Sequence, residues 1–231
     1  MKEFLTDSAL FGVVISLVAF WIGVFVRRKT GLSVLSPLVT ATAIIIVFLV
    51  VTDIDYDTYN ESASVLRYFL TPATVCLAIP LYQKLQMLKD NFAAIIIGII
   101  SGVLTSALSI LAMCLIFNFD HDMYVTLLPK SVTTAIGISV SEELGGVVAL
   151  TTAAIVIAGN VGGMLAEIIF KVFRIKEPIS KGLALGTASH VMGTSKAMEI
   201  GDVEGAMGSL AIAVAGIITV IVLPFFAGVV Y

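Results

Sequence analysis

The chain has 231 residues, of which 59% are hydrophobic and 13% charged, with a formal net charge of −3. A soluble core has no use for so much apolar surface, so the composition excludes an ordinary soluble enzyme and points to one integral-membrane helical bundle. Nucleic acid is excluded as a partner because no basic stripe is present to hold it.

A membrane-crossing helix takes about 20 mostly apolar residues. Stretches 8–26, 32–52, 91–117, 145–170 and 204–230 meet that requirement. A sixth, 62–82, is interrupted by Arg67, Pro72 and Pro80. Proline inside a helix removes a backbone bond, so a kinked or broken helix is expected there. Met1-Lys2-Glu3 is only weakly basic, and the first apolar run ends in Arg27-Arg28-Lys29 rather than a small-residue cleavage site. It reads as a retained helix, not a signal peptide. Cys76 and Cys114 lie in apolar runs and are expected to be buried free thiols.

Basic residues set the orientation. Arg27, Arg28 and Lys29 place the first loop in the cytoplasm and the N-terminus outside. The acidic run Asp53-Ile54-Asp55-Tyr56-Asp57 is then external, Lys84 and Lys89 cytoplasmic, Asp120-His121-Asp122 external, and Lys171, Arg174, Lys176 and Lys181 cytoplasmic. Segment 123–144 therefore starts and finishes outside, and is expected to dip in and return around Pro129 and Gly137. Full crossing by both 123–144 and 178–202 is the alternative. It would move the Lys171–Lys181 cluster outside and break the charge pattern.

Two stretches share one pattern, Gly-x-Ser-x-x-x-Glu-(Leu/Ile)-Gly, starting at Gly137 and at Gly193, 56 positions apart. By that match 178–202 is expected to form a second hairpin, around Gly186 and Gly193, from the cytoplasmic side. A hairpin plus one crossing is an odd number of crossings, so the two copies are inverted. The expected fold class is an all-α polytopic membrane protein with about six spanning helices and two opposed re-entrant or broken hairpins. It divides into scaffold helices (1–60), a broken helix plus span (62–117), and two units of hairpin plus span (123–170 and 178–230). A fainter third copy aligns Thr71-Pro72-Ala73-Thr74-Val75 with Leu128-Pro129-Lys130-Ser131-Val132.

Polar, glycine-rich backbone at membrane depth is costly unless it lines a cavity, and duplicated broken helices mark transport sites. A re-entrant tip exposes N–H groups at a helix start, where partial positive charge collects. With hydroxyls and a lysine beside them, such tips can hold a small carboxylate without a cofactor or metal. The candidate binding residues are Lys130, Ser131, Thr133, Thr134, Ser139, Asn160, Ser189, His190, Gly193, Thr194, Ser195 and Lys196. Glu143, Glu199 and His190 are the candidates for coupling to protons; Glu143 ranks above Glu142 because it matches Glu199 in the repeat. Against these readings, Ser and Thr in membrane helices often bond their own backbone, and glycines often only let helices approach. Asn160 is expected either to line the pathway or to join two helices. Glu167 is expected to pair with Lys171 at i,i+4.

Gly193-Thr194-Ser195-Lys196 reverses the order of a phosphate loop, and Asp53-x-Asp55-x-Asp57 lacks the Gly and Glu of a calcium loop. No nucleophile–His–carboxylate set is evident, so no enzyme is expected.

At Leu128-Pro129-Lys130-Ser131-Val132-Thr133-Thr134, Glu142-Glu143-Leu144-Gly145-Gly146 and Ala188-Ser189-His190-Val191-Met192-Gly193-Thr194-Ser195-Lys196-Ala197, the chain resembles the LrgB/CidB family over essentially its whole length. The resemblance implies a multi-pass protein of the bacterial cytoplasmic membrane that acts with a smaller LrgA/CidA-type partner. It implies a holin/antiholin-like link to murein hydrolase activity and autolysis. It also implies, through other relatives, movement of small carboxylates such as pyruvate, glycolate and glycerate. The leading expectation is a secondary transporter of small monocarboxylates, proton-coupled and working as a homodimer in the lipid bilayer. The alternative is a holin/antiholin-like accessory protein with no substrate pocket.

Overall fold

The computed structural model describes residues 8, 10–30, 37–69, 72, 75–76 and 78–229. The faint third repeat copy at Thr71–Val75 falls largely outside these residues, as do Met1-Lys2-Glu3 and the start of the 32–52 span. Every regular element among the described residues is helical. Four helices are long and apolar enough to cross a membrane, and Val39–Thr52 is a shorter apolar stretch. The protein is thus an all-α, multi-pass membrane protein. The chain divides into two units, Met1–Cys76 and Leu77–Tyr231.

In the first unit, α1 (Phe11–Thr30) is followed by α2 (Pro37–Thr52), α3 (Tyr56–Ala63) and a 3-10 turn (Ser64–Phe69). Asp55 caps α3 by accepting the Asp57 N–H at 3.3 Å. Ser62 accepts the Gly12 N–H at 2.9 Å, and Ser16 bonds Tyr59 Oη at 2.8 Å. Gly12 has to be small, because a Cβ there would stand 2.6 Å from Tyr59 O and Ala63 N.

The second unit holds α4 (Ala78–Gln83), α5 (Leu85–Asp90), α6 (Phe92–Phe117), α7 (His121–Leu127), α8 (Thr134–Glu143), α9 (Val148–Val172), α10 (Pro178–Ile200) and α11 (Asp202–Ala227). Within the expected interrupted span 62–82, residues Ser64–Phe69 form the 3-10 turn, and the described residues from 72 onward are helical, ending in α4. Cys114 is buried as expected, whereas Cys76 is exposed; both are free thiols.

Both expected hairpins double back. Thr151 Oγ1 donates to Thr126 O at 2.9 Å and lies 2.7 Å from Ser141 Oγ, so residues 126 and 141 share one partner. In a straight helix they would be about 22 Å apart. The break lies at Pro129–Thr133, where proline forbids continuation, and Gly137 sits inside α8 rather than at the turn. The second break is inside α10. Gly182 and Gly186 pack along α11 in ascending order, against Glu204 and Met207, then Gly208 and Ala211. After the break the order reverses: Gly208 meets Thr194, and Gly205 meets Met198. The turning residue is His190 (φ 43, ψ −131), with Gly186 and Gly193 flanking it on the two arms. The turn thus falls between Gly186 and Gly193, on a histidine held by its side chain; Gly186 lets its arm lie against α11, and Gly193 lets the two arms approach each other.

The shared repeat pattern marks the returning arm of each hairpin and its end. Gly137 and Gly193 are buried, Ser139 and Ser195 exposed, Glu143 and Glu199 exposed, and Gly145 and Gly201 close the arms. The close fit of arm to α11 makes a prediction. Gly186→Val would drive a side chain into Gly208 O and Ala211 Cβ. Overpacking of that kind costs about 1–3 kcal/mol, so the thermal midpoint in detergent should fall by several degrees.

Candidate functional site

Three apolar clusters fill the second unit, and two of them divide the lengths of α6 and α11 between them. One contains Ile95, Ile99, Val103, Leu183, Met207, Ala211 and Ala215; the other contains Ala107, Ile110, Cys114, Tyr124, Leu128, Val140 and Leu223. Along α6 the boundary falls between Val103 and Ala107, and along α11 between Ala215 and Leu223. The residues at that level are polar: Ser106 on α6, Lys130 and Ser131 at the first tip, Thr187 near the second, and Thr219 on α11. The two hairpins thus bring their tips to one polar layer in mid-bundle.

Lys130 Nζ donates to Ser131 Oγ at 3.0 Å and to Ser106 Oγ at 3.4 Å, and Ser106 Oγ donates to Ser131 Oγ at 3.0 Å. Among the described residues no carboxylate pairs with this lysine. Thr187 is 7% exposed and its Oγ1 has no hydrogen-bond partner. Gly102 makes room for it, since a Cβ on that residue would come 2.7 Å from Thr187 Cγ2. Thr133 stands at the N-terminal cap of α8 without a side-chain capping bond. The first N–H groups of α8 therefore add to a donor-rich neighbourhood.

Ser106, Lys130, Ser131 and Thr187 line a cleft of about 560 Å³ between α6 and the outgoing arm of α10, with Ser101, Thr105, Ser109, Ser180 and Ala184 among its other walls; Thr133 is not among them. Ser101, Thr105 and Ser109 donate to carbonyls of their own helix at 2.7–2.8 Å, the ordinary behaviour of hydroxyls in membrane helices. A cation at this depth that lacks an anion is costly. The cleft can therefore take a small anion, with Lys130, Ser131 and Thr187 as donors.

The other candidate residues fall elsewhere. His190 is buried, and its Nε2 donates to Ile155 O at 3.1 Å; a Cβ at Gly159 would meet that ring at 2.6 Å. Ser189 is packed against Gly162, and Gly193 against Leu185 O. Thr194 is buried and its Oγ1 has no partner. Asn160 donates to Val156 O of its own helix at 2.9 Å, and Ser139 to Ala135 O at 3.2 Å. Thr134 is half-buried in the first turn of α8. Glu142 and Glu143 are exposed.

Lys196 is buried but engaged. It forms ion pairs with Glu167 of α9 and, at 3.5 Å, with Glu199 on its own arm. Glu167 thus reaches across to a buried lysine on the neighbouring hairpin, a partner that its i,i+4 spacing to Lys171 did not suggest. Lys196 does not line the cleft. Sequence reasoning missed Ser106 as a partner of Lys130; it lies 24 residues away on α6 and carries no motif. No group of three or more His, Cys, Asp or Glu able to hold a metal occurs among the described residues.

A family model described as the LrgB-like family matches residues 16–229. Antiholin-like protein LrgB of Bacillus cereus strain B4264 is 37% identical over 222 residues, covering 96% of this chain and 96% of that protein. The protein of the same name from Bacillus anthracis strain A0248 is similar to the same extent. No solved structure matches.

The Lys196 contacts make a further prediction. Glu167→Gln should lower the thermal midpoint by about 2–4 °C, as expected for about 1 kcal/mol from a half-exposed partner.

Proposed function

The chain belongs to the LrgB-like family, and on that premise we propose that it is a secondary carrier of small monocarboxylates, working beside an LrgA-type membrane protein. The observation that carries this reading is the meeting of two oppositely entering hairpin tips at a cleft whose lysine has no carboxylate partner. Opposed broken helices with a midplane polar site are the architecture of carriers that expose one site alternately to two faces. Lys130 holds the carboxylate, with Ser131 and Thr187 as further donors and Thr133 and Thr134 presenting the start of α8. His190, Glu199 and Glu143 are the groups through which proton coupling acts. A homodimer supplies a fixed frame for the moving hairpins.

The names of the relatives favour a second reading, an antiholin-like accessory protein that modulates murein hydrolase export and autolysis without a substrate of its own. The bacterial cytoplasmic membrane is the location under both readings, with the N-terminus outside.

Uptake of labelled pyruvate and glycolate into proteoliposomes separates them, measured with and without the LrgA-type partner and an imposed pH gradient. The carrier reading expects saturable, gradient-dependent uptake that Lys130→Gln lowers about ten- to hundredfold, the worth of a hydrogen bond to a charged group. Leakage of unrelated solutes with no saturable uptake would favour the second reading.

A further inference from the structure

We infer that the site has a second part, a recess beside Lys130 walled by Thr187 and Thr219, which takes a single oxygen on the carbon next to the carboxylate and so selects 2-hydroxy and 2-oxo acids over plain ones. The inference rests on the carrier reading and adds to it the residues that choose the substrate.

A void of about 10 Å³ adjoins the cleft, and the two have Ser106, Ser131 and Thr187 as common walls. Thr219 of α11 closes it, together with apolar residues that include Val132 and Leu223. Four parts of the second unit thus bring one hydroxyl each to one small space: α6, the first tip, the outgoing arm of α10 and α11. The void has room for about one water-sized group. None of the residues that wall it is charged, so it offers no place for a second carboxylate.

The four hydroxyls are not equally engaged. Ser106 and Ser131 are bonded to each other and to Lys130. Thr187 Oγ1 has no hydrogen-bond partner, and the side chain of Thr219, buried at 7% exposure, makes no hydrogen bond among the described residues. Threonines in membrane helices ordinarily donate to a carbonyl of the preceding turn, as Thr105, Thr126 and Thr152 do here. Two buried threonines that do not, from two helices and at one void, keep their hydroxyls for a ligand. A hydroxyl both donates and accepts, so either a hydroxyl or an oxo oxygen is served.

Ser131 Oγ lies 3.0 Å from Lys130 Nζ, so the void begins within one hydrogen bond of the ammonium that takes the carboxylate. An oxygen on the adjacent carbon is the substituent placed to enter it. A hydrogen in its place leaves the threonines unpaired, and a site with buried polar groups discriminates against the analogue that cannot pair them.

Proteoliposomes of the full chain, with the LrgA-type partner present, read this as a ratio. Glycolate is compared with acetate, and lactate with propionate, each pair equal in carbon number. The unsubstituted protein should favour the oxygenated acid in kcat/KM by about tenfold or more. Thr219→Val keeps the shape and removes the hydroxyl. It should lower that ratio about three- to tenfold, as for one hydrogen bond between neutral groups, and Thr219→Ser should restore it. Lys130→Gln should weaken both acids of a pair alike, because they share the carboxylate. A ratio near one in the unsubstituted protein, or a ratio that Thr219→Val leaves unchanged, overturns the recess while the carrier reading stands. Uptake of no acid at all removes the carrier reading, and binding to the detergent-solubilised protein then decides the recess by itself. A thermal midpoint raised by glycolate but not acetate, and by neither in Thr219→Val, supports it; a midpoint raised equally by both acids, or by neither, overturns it.

Discussion

Inside a membrane a broken helix has no water to satisfy the backbone groups it frees, so each break has to be closed by protein. The second unit contains two such breaks, and both closures rest on α9. Thr151 joins the two arms of the first hairpin, and the Ile155 carbonyl takes the proton of the His190 ring at the second. These positions are one helical turn apart and share a face, which Gly159, Gly162 and Ala166 continue. The small residues let the second hairpin lie against that face, while the larger polar ones fasten its partner. A non-glycine residue at φ 43 carries strain, and His190 holds it because ring and backbone are both committed.

This single spine explains why the polar layer exists. With the hairpins entering from opposite faces and both fastened to one helix, their tips have to meet near the middle. The apolar residues of α6 and α11 then fall into two clusters on either side of the tips. What is left at the level between them is polar by default, since the tip backbone and its hydroxyls have nowhere else to go. A carrier and an antiholin-like accessory protein both need to sit stably in a membrane. The lysine without an anion at that depth is the feature on which the carrier proposal rests.

The two interior lysines show how context outweighs type. Lys196 and Lys130 each follow a hairpin break by a few residues or lie within it, and each is shielded from water. Lys196 is met by two carboxylates, Glu167 and Glu199, each about half exposed, so its charge is balanced within the fold. Lys130 is met only by hydroxyls. The first clasps an arm to α9; the second is left without an anion among the described residues.

Much of this was legible in the chain itself. Apolar run length sets where spans lie, because bilayer thickness fixes how many residues a helix must contribute, and α6, α9 and α11 fall where the runs do. Charge asymmetry and the duplicated pattern implied two doubled-back segments, since an odd number of crossings inverts a repeat. Local order could not say which repeated residues point inward. The shared Ser and Glu proved to face outward on the returning arms, and the turn between Gly186 and Gly193 fell on His190. Nor could it pair Lys130 with Ser106, or Glu167 with Lys196. Those partners are brought together by helix packing, and a side chain's charge is settled by what the neighbouring helix presents, which no spacing within one segment encodes.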